Sequence, residues 1–294
     1  MNREELLTKY ADPIPVLDHG GVKLLDVMGG DYAIVQSARV SYGHELDDAN
    51  QRDARRLIRY MMKHHHGTPF ESCEIKLWVH LPIFVERQWA RHRTAHWNEL
   101  SGRYSELPEE FYVPPPEQVC YQSGENKQGR SGPLEPTVAN HHRSNMRALC
   151  GDAFAGYHNL LEVGIAKETA RLGLPVSTYT TKVWKVDLRN LLGFLLLRLD
   201  PHAQWEIRQY AEVIWTIVQD WVPLAAEAFR DYELEAITLS RQEVAALREL
   251  LSSHDLLAHP DVGMTFDRAG LTGREREEFA AKLGLNCGPS KENR

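Results

Sequence analysis

Apolar residues along this chain change their period several times, and each change marks an element boundary. Between Glu74 and Leu81, Ile75, Leu77, Val79 and Leu81 alternate with Glu74, Lys76, Trp78 and His80, the period of a strand with one buried face. Pro82 then opens a helix that runs through Ile83, Phe84, Val85 and Trp89 into Arg91, with Gln88 and Arg91 on one face. Upstream, Val22 to Met28 reads as a short strand closed by Gly29-Gly30, and Asp31 stands where it can cap a helix through Ala38. A polar turn, residues 38–43, follows, in which Ser41 offers a hydroxyl. Ala54, Leu57, Ile58, Met61 and Met62 fall at helical spacing between Asp53 and His65.

The second half begins with residues 113–136, rich in Pro, Gly and polar side chains, which predict a long loop. Helical spacing resumes at Met146, Leu149, Ala153, Tyr157 and Leu160, and a second short helix ends near 171–175 with Gly173 as its stop. Val176 to Val186 is dense in Val, Thr, Tyr and Trp and predicts a strand. Asp187 is set to cap a helix from Leu188 to Leu199 that is apolar on nearly all sides, so it should be enclosed. Arg189 and Arg198 lie on opposite faces of that helix, and a buried Arg needs an anionic partner. The pattern therefore predicts an element sandwiched between two ligands or two subunits. Ile207, Tyr210, Ala211, Ile214 and Val218 mark a further helix, and another runs from Pro223 to about Tyr232. Two capping boxes, Ser240-Arg241-Gln242-Glu243 and Thr272-Gly273-Arg274-Glu275, predict two helices in the tail. Helix should outweigh strand.

Composition narrows the class. At 294 residues, 43% hydrophobic and 26% charged, the chain has the make-up of an ordinary globular protein with a sizeable core. The net charge of −7 speaks against a general nucleic-acid binder. Cys73, Cys120, Cys150 and Cys287 have no zinc-like spacing and suit reduced thiols in the cytoplasm, with Cys73 and Cys150 expected in the core. Met1 to Glu5 lacks the apolar core of a signal peptide, and the longest apolar run, Leu191 to Leu197, is too short to span a bilayer. A cytoplasmic protein with no membrane partner is expected.

The chemistry concentrates between Arg91 and Ser105, where cations, imidazoles, amides and hydroxyls crowd a segment almost without aliphatic residues. The Arg forks there match phosphate. The histidine run His64 to His66 cannot converge on one metal, since successive helical side chains diverge by about 100°. His202 with Glu206 has helical ligand spacing, but no HExxH or cysteine cluster accompanies it, so no metal site is expected. Ser101 lies outside any GxSxG context, and neither a GxxxxGK[ST] loop nor a GxGxxG turn is present.

Arg91-His92-Arg93 followed by Ser101 in the spacing RHRx7S, continued by Asn98-Glu99-Leu100-Ser101-Gly102-Arg103-Tyr104-Ser105, resembles the signature of flavin-dependent thymidylate synthases. Supporting segments stand in the family's order: Ala38-Arg39-Val40-Ser41, His66-Gly67-Thr68-Pro69-Phe70-Glu71, Pro82 to Gln88, and His202-Ala203-Gln204-Trp205-Glu206. The resemblance covers about residues 22 to 235 of a domain assigned to 1–239. The 123–133 loop and a helical extension over 240–294 look like additions without an assigned role. It implies an α+β fold with a mixed or antiparallel sheet flanked by helices, and a homotetramer whose sites form where subunits meet. The implied reaction is reductive methylation of dUMP to dTMP with FAD, NADPH and methylenetetrahydrofolate. A flavin- or nucleotide-binding protein on the same scaffold is the alternative.

Carried over by position, the resemblance makes Arg91, His92 and Arg93 flavin ligands, with Ser41, His66, Thr68, Glu71, Glu99, Asp187 and Arg189 at cofactor-contacting positions. Gln88, Arg91, Glu99, Ser101, Gly102, Arg103, Arg171 and Arg198 resemble the dUMP-binding set. Within it, Arg103 and the Ser101-Gly102 backbone suit phosphate, while Arg171 and Arg198 suit a uracil carbonyl and the charge that develops on the ring. Ser101 is then a ligand and not a nucleophile. Two positions depart from the family pattern: Asp187 stands where Asn is frequent, and Gly193 stands where a hydrogen-bonding side chain is frequent.

Overall fold

The alternation from Glu74 to Leu81 forms the middle strand of a five-stranded antiparallel sheet in a computed structural model that describes residues 1–41, 51–125, 127–253, 265–266, 268–271 and 273–283. The chain divides into two compact units, 1–235 and 236–294. The first contains α1 (Arg3–Lys9), β1 (Ile14–Val16), β2 (Gly20–Met28), α2 (Asp31–Val40), α3 (Gln51–Lys63), β3 (Glu74–Pro82), α4 (Ile83–Trp89) and β4 (His96–Glu99). It continues with β5 (Cys120–Gln122), β6 (Arg130–Pro133), α5 (Pro136–Glu162), α6 (Lys167–Ala170), β7 (Tyr179–Asp187), α7 (Leu188–Arg198), α8 (Trp205–Trp221) and α9 (Pro223–Phe229). The sheet order is β1-β2-β3-β7-β4, and β5 pairs with β6 in a separate hairpin. The α+β class with an antiparallel sheet and a helical majority is therefore the observed one.

Ile75, Leu77, Val79 and Leu81 are all buried, as their alternation requires. Pro82 belongs to the strand and serves as the N-cap of α4, not as its first residue. Two of the backbone N–H groups that open α4 are satisfied from outside it: Ile83 N donates to Thr178 O (2.9 Å) and Phe84 N to Val176 O (2.9 Å). The sheet thus feeds straight into the helix that leads to the basic stretch.

Asp31 departs from expectation. It lies inside α2, whose N-cap is Gly30, and its carboxylate accepts from Leu224 N and Ala225 N, both at 2.9 Å. The acid closes the first turn of α9, a helix far away in sequence. Burial, the larger influence, raises its pKa, and the two N–H donors oppose that rise.

The run His64 to His66 terminates α3. His65 adopts φ 57°, and His66 N donates back to Met61 O (2.9 Å), the left-handed stop that usually falls to glycine. The His64 ring lies 4.5 Å from that of Tyr60, and His65 Nδ1 lies 3.2 Å from Glu233 Oε1.

Three expectations are corrected. The predicted loop at 113–136 contains the β5–β6 hairpin, with Cys120 opposite Pro133 and Gln122 opposite Arg130. On α5 the buried face is Ala139, Cys150, Phe154 and Tyr157, whereas Met146, Leu149 and Leu160 face outward, Leu149 with 70% of its surface exposed. Helix α7 is buried through Leu188, Leu191, Leu192, Phe194 and Leu195, but Arg189, Gly193 and Leu197 form an exposed stripe in the single chain. Asp187 does cap α7, accepting from Asn190 N (3.0 Å).

In the second unit, α10 (Arg241–Ser253) starts at the expected capping box, where Ser240 Oγ accepts from Glu243 N (3.2 Å) and Glu243 Oε2 accepts from Ser240 N (2.7 Å). Arg248 of α10 donates to the Lys282 carbonyl (2.6 Å) in α11 (Gly273–Leu283). Thr272, Tyr42, Gly43 and Cys287 lie outside the described residues. Cys73 and Cys150 are buried. Among the described residues no helix is long and apolar enough to cross a membrane.

Between the sheet and α4 sits a fully enclosed ion pair, Lys182 of β7 with Glu86 of α4, the Lys182 ammonium 4.2 Å from the Trp89 ring centroid. Burial lowers the Lys182 pKa to about 8 and raises that of Glu86. Removing one member leaves the other charge buried and alone, so Glu86→Ala is expected to cost about 3–5 kcal/mol, whereas Lys182→Met with Glu86→Leu should be neutral or stabilising. Denaturant unfolding of the single and double variants checks this.

Candidate functional site

Helix α4 ends at Trp89, and the chain folds back so that His92 N donates to Trp89 O (3.0 Å). This turn sends the His92 ring inward, edge-on to Phe194 at 4.9 Å, where its Nε2 accepts from Arg198 Nε (3.0 Å). Arg198 Nη2 also donates to the Gln88 carbonyl (3.3 Å), which accepts from Arg91 N as well (3.3 Å). The guanidinium is half-buried, burial lowers its pKa, and it has no carboxylate partner among the described residues. Burial first, and then the positive charges of Arg198 and Lys182, bring the His92 pKa down to about 4. At neutral pH the imidazole is uncharged, and because Nε2 accepts, Nδ1 carries the ring proton.

The Gln88 side chain continues the network. Its Nε2 donates to Gln204 Oε1, and Gln204 Nε2 donates to Glu206 Oε2 (2.9 Å). Glu206 is 2% exposed and also receives Tyr112 OH (3.1 Å) and Arg130 Nη2 (2.6 Å to each oxygen). The His202–Glu206 ligand spacing is thus not used: His202 Nδ1 faces Asp200 (2.9 Å) while Glu206 is committed to the interior. No group of three or more His, Cys, Asp or Glu able to hold a metal ion occurs among the described residues.

Beyond His92 the chain forms the edge strand β4, paired to β7 with Glu99 opposite Lys182. Glu99 Oε1 accepts from Thr180 Oγ1 (2.9 Å). The strand then turns on Ser101, whose carbonyl accepts from Tyr104 N and Ser105 N, each at 3.0 Å. Gly102 is buried against Arg171: a Cβ there would stand 3.0 Å from Arg171 Cδ and 3.2 Å from Leu107 Cδ1. Arg103 Nε donates to Glu168 Oε2 (3.2 Å) at the surface. Ser101, Gly102, Arg103 and Arg171 therefore form one group at the end of β4.

The other expected flavin contacts gather at the opposite end of α7. The Arg189 guanidinium lies over Gly67, where a Cβ would meet Arg189 Nε at 2.4 Å, and Arg189 Nη1 donates to Glu71 Oε1 (2.5 Å). His66 and Thr68 flank Gly67 and are exposed, and Ser41 is exposed at the end of α2. Both oxygens of Asp187 are engaged by Asn190, from its N (3.0 Å) and Nδ2 (2.7 Å). Nine residues at a rise of about 1.5 Å separate Arg189 from Arg198 by about 14 Å along α7. Two groups of expected flavin contacts thus stand at the two ends of one helix. Arg91 and Arg93 are exposed and form no ion pair among the described residues.

Four participants escape sequence reading: Gln204, Glu206, Tyr112 and Arg130. Gln204 and Glu206 lie in a segment flagged for its order in the chain, but their link to Gln88 spans more than a hundred residues. Nothing in the polar, glycine-rich context of Arg130 signals that it reaches a buried acid.

Comparison with known proteins adds an independent finding. Residues 23–224 match the family profile described as thymidylate synthase complementing protein. The chain is similar to the flavin-dependent thymidylate synthase of Ruegeria pomeroyi, with 47% identity over 274 residues, 92% of this chain and 87% of the relative. It is 50% identical over 244 residues to that of Wolbachia pipientis wMel, covering 82% and 84%. Among solved structures it is similar to the UMP/dUMP methylase PolB from Streptomyces cacaoi bound with 5-Br dUMP, with TM-score 0.69, 35% identity, and coverage of 75% of this chain and 99% of that one.

His92 generates a prediction with a definite sign. Its folded-state pKa is depressed from 6.5 to about 4, so between these values the unfolded chain binds more protons. Its contribution to stability is full above pH 6.5 and is lost as pH falls toward 4. In His92→Gln, whose amide oxygen can accept from Arg198, this part of the acid destabilisation should vanish. Denaturant midpoints measured across that window in both proteins check it.

Proposed function

The chain belongs to the flavin-dependent thymidylate synthase family, and on that premise we propose that this enzyme converts dUMP to dTMP by reductive methylation, with FAD as its flavin, NADPH as reductant and methylenetetrahydrofolate as one-carbon donor. The observation that carries the substrate reading is Arg198: a half-buried cation held by an imidazole nitrogen and a backbone carbonyl, and so available to an electron-rich ligand. The solved relative that binds 5-Br dUMP supports the same substrate class.

In this reading Ser101 and Gly102 offer backbone and Arg103 a guanidinium to the nucleotide phosphate, with Gln88 and Glu99 alongside. The packing of Gly102 on Arg171 favours it, since any side chain there would press into the arginine. Arg171 and Arg198 polarise the pyrimidine, which then needs no attack by a protein nucleophile. The residues fit a flavin as well. Arg91, His92 and Arg93 leave α4 together, and the bare backbone of Gly67 lets the Arg189 guanidinium lie against it, which sets a cation beside His66, Thr68 and Glu71 where a flavin's phosphates and hydroxyls could be met. Ser41 and Asp187 complete the proposed cofactor set, Asp187 by fixing the start of α7. Bound FAD supplies hydride-transfer chemistry to the site.

A homotetramer with shared sites is part of the proposal. Met146 and Leu149 on α5, and Leu197 (59% exposed) beside Gly193 on α7, leave apolar surface that a second subunit can cover. Such packing would also explain how cofactor contacts come to lie at both ends of α7. The cytoplasm, where isolated thiols stay reduced, is the proposed setting.

Purified protein should be yellow, its flavin spectrum should bleach with NADPH, and dTMP should form from dUMP and methylenetetrahydrofolate. A flavin-loaded protein that makes no dTMP would sink the methylation and leave the flavin- or nucleotide-binding alternative. Arg198→Ala is expected to retain FAD while losing dUMP-dependent flavin oxidation by about 100-fold or more, the scale of one lost charge-stabilising donor; loss of the tetramer instead would make the residue structural. Ser101→Ala should weaken dUMP binding and keep turnover at high dUMP. Abolished chemistry with unchanged binding would return Ser101 to a nucleophile's role.

A further inference from the structure

The β5–β6 hairpin has no part in the family signature, yet one of its side chains reaches the interior. Arg130 Nη2 donates to both oxygens of Glu206 at 2.6 Å, while its Nη1 donates to the carbonyl (3.3 Å) and Oε1 (3.2 Å) of Gln118. The guanidinium is therefore fixed on two sides. Glu206 in turn collects donors from three places: Arg130 on β6, Tyr112 in the segment after β4, and Gln204 ahead of α8.

Elementary hydrogen-bond logic turns this cluster into a direction. An ionised carboxylate only accepts. Gln204 must then aim its Nε2 at Glu206, as it does, which leaves its Oε1 toward Gln88. Gln88 must answer with its own Nε2, as it does. The Gln88 amide is left with its Oε1 as the free end, and that atom takes no hydrogen bond among the described residues.

We propose that Arg130 is a positioning residue for the nucleotide: by donating to both oxygens of Glu206 it fixes that carboxylate as the acceptor that sets the polarity of the Gln204 and Gln88 amides, so that Gln88 presents its carbonyl oxygen, an acceptor, to a hydroxyl or imide N–H of dUMP. This rests on the reading that Gln88 belongs to the dUMP site. The hairpin then acts on substrate recognition through a relay of three side chains and without touching the substrate. The specificity gained is against ligands that offer only acceptors at that point, because two opposed carbonyl oxygens leave both unpaired in a partly dry site.

The groups that face Glu206 are few. Arg130 is its charged neighbour. Tyr112 is the other titratable one, its phenol pushed up by burial and by the Glu206 charge, so it stays a neutral donor. One step further, Asp18 is occupied by Tyr179 OH (2.6 Å) and Val113 N (3.0 Å). Removing Arg130 thus takes away the cation that fixes both carboxylate oxygens and leaves Tyr112 and Gln204 as the donors that remain among the described residues.

The test is dUMP binding to the flavin-loaded enzyme at neutral pH. Arg130→Ala is expected to weaken dUMP by about tenfold at neutral pH, the scale of one hydrogen bond lost in a buried site, with flavin content unchanged. Arg130→Lys should recover most of the affinity. Glu206→Gln, which no longer dictates amide polarity, should weaken dUMP by a similar factor, and Arg130→Ala added to it should cost nothing further. Should Arg130→Ala not fold, the Lys and Gln variants carry the test alone. Unchanged dUMP affinity in Glu206→Gln, no affinity difference between Arg130→Lys and Arg130→Ala where both fold, or full additivity in the double variant overturns the proposal. If the unmodified enzyme binds no dUMP, the substrate reading itself fails and takes this inference with it.

Discussion

A half-buried arginine without a carboxylate is the constraint around which this site is arranged. Arg198 at the end of α7 is held by His92 Nε2 and the Gln88 carbonyl, and both of these acceptors come from the last turn of α4 and the residues just past it. The arrangement needs α4 to end where it does, which in turn needs β3 to pass into α4 at Pro82 with its opening N–H groups met by the carbonyls of Thr178 and Val176. Because the acceptors are uncharged, neither cancels the charge of the guanidinium. A carboxylate in place of His92 would hold Arg198 more firmly and would also cancel the charge that a pyrimidine or phosphate meets.

The charges beneath the site are placed on the same principle. Lys182 is fully enclosed and paired with Glu86, and its positive charge is felt at His92. Together with Arg198 it keeps the imidazole neutral. Glu206, the other deeply buried acid near Gln88, has its own cation in Arg130. Each of these two buried carboxylates thus has its own cation. The organisation is one of segregation: paired charges inside, an unpaired guanidinium where a ligand would meet it.

Much of this was legible in the chain, and the limits have physical causes. The β3 strand was readable because one buried face imposes strict alternation on Ile75, Leu77, Val79 and Leu81. Helix α5 was found but its core face was misjudged, since Met146, Leu149 and Leu160 repeat at helical spacing just as Cys150, Phe154 and Tyr157 do. An element with two apolar faces does not announce which one its own chain will cover. Asp31 sits where a local cap would sit, yet it serves α9, because capping requires only an oxygen near free N–H groups and not a neighbour in sequence. The members of the candidate site followed from the RHRx7S motif and the segments around it. Their partners did not, because Arg198 with His92 and Arg130 with Glu206 are brought together only by the tertiary fold.

The four residues of β4 are exposed throughout and join the sheet through β7 alone. This short border lies between the Arg91–Arg93 exit and the Ser101 turn, so the stretch richest in chemistry sits on an edge of the sheet. Edge segments of this kind open at a lower free-energy cost than the core they border. Warming should therefore loosen β4 before it loosens the core that β4 borders. An engineer seeking heat tolerance would gain little by packing the interior more tightly and more by mending the seam between β4 and β7.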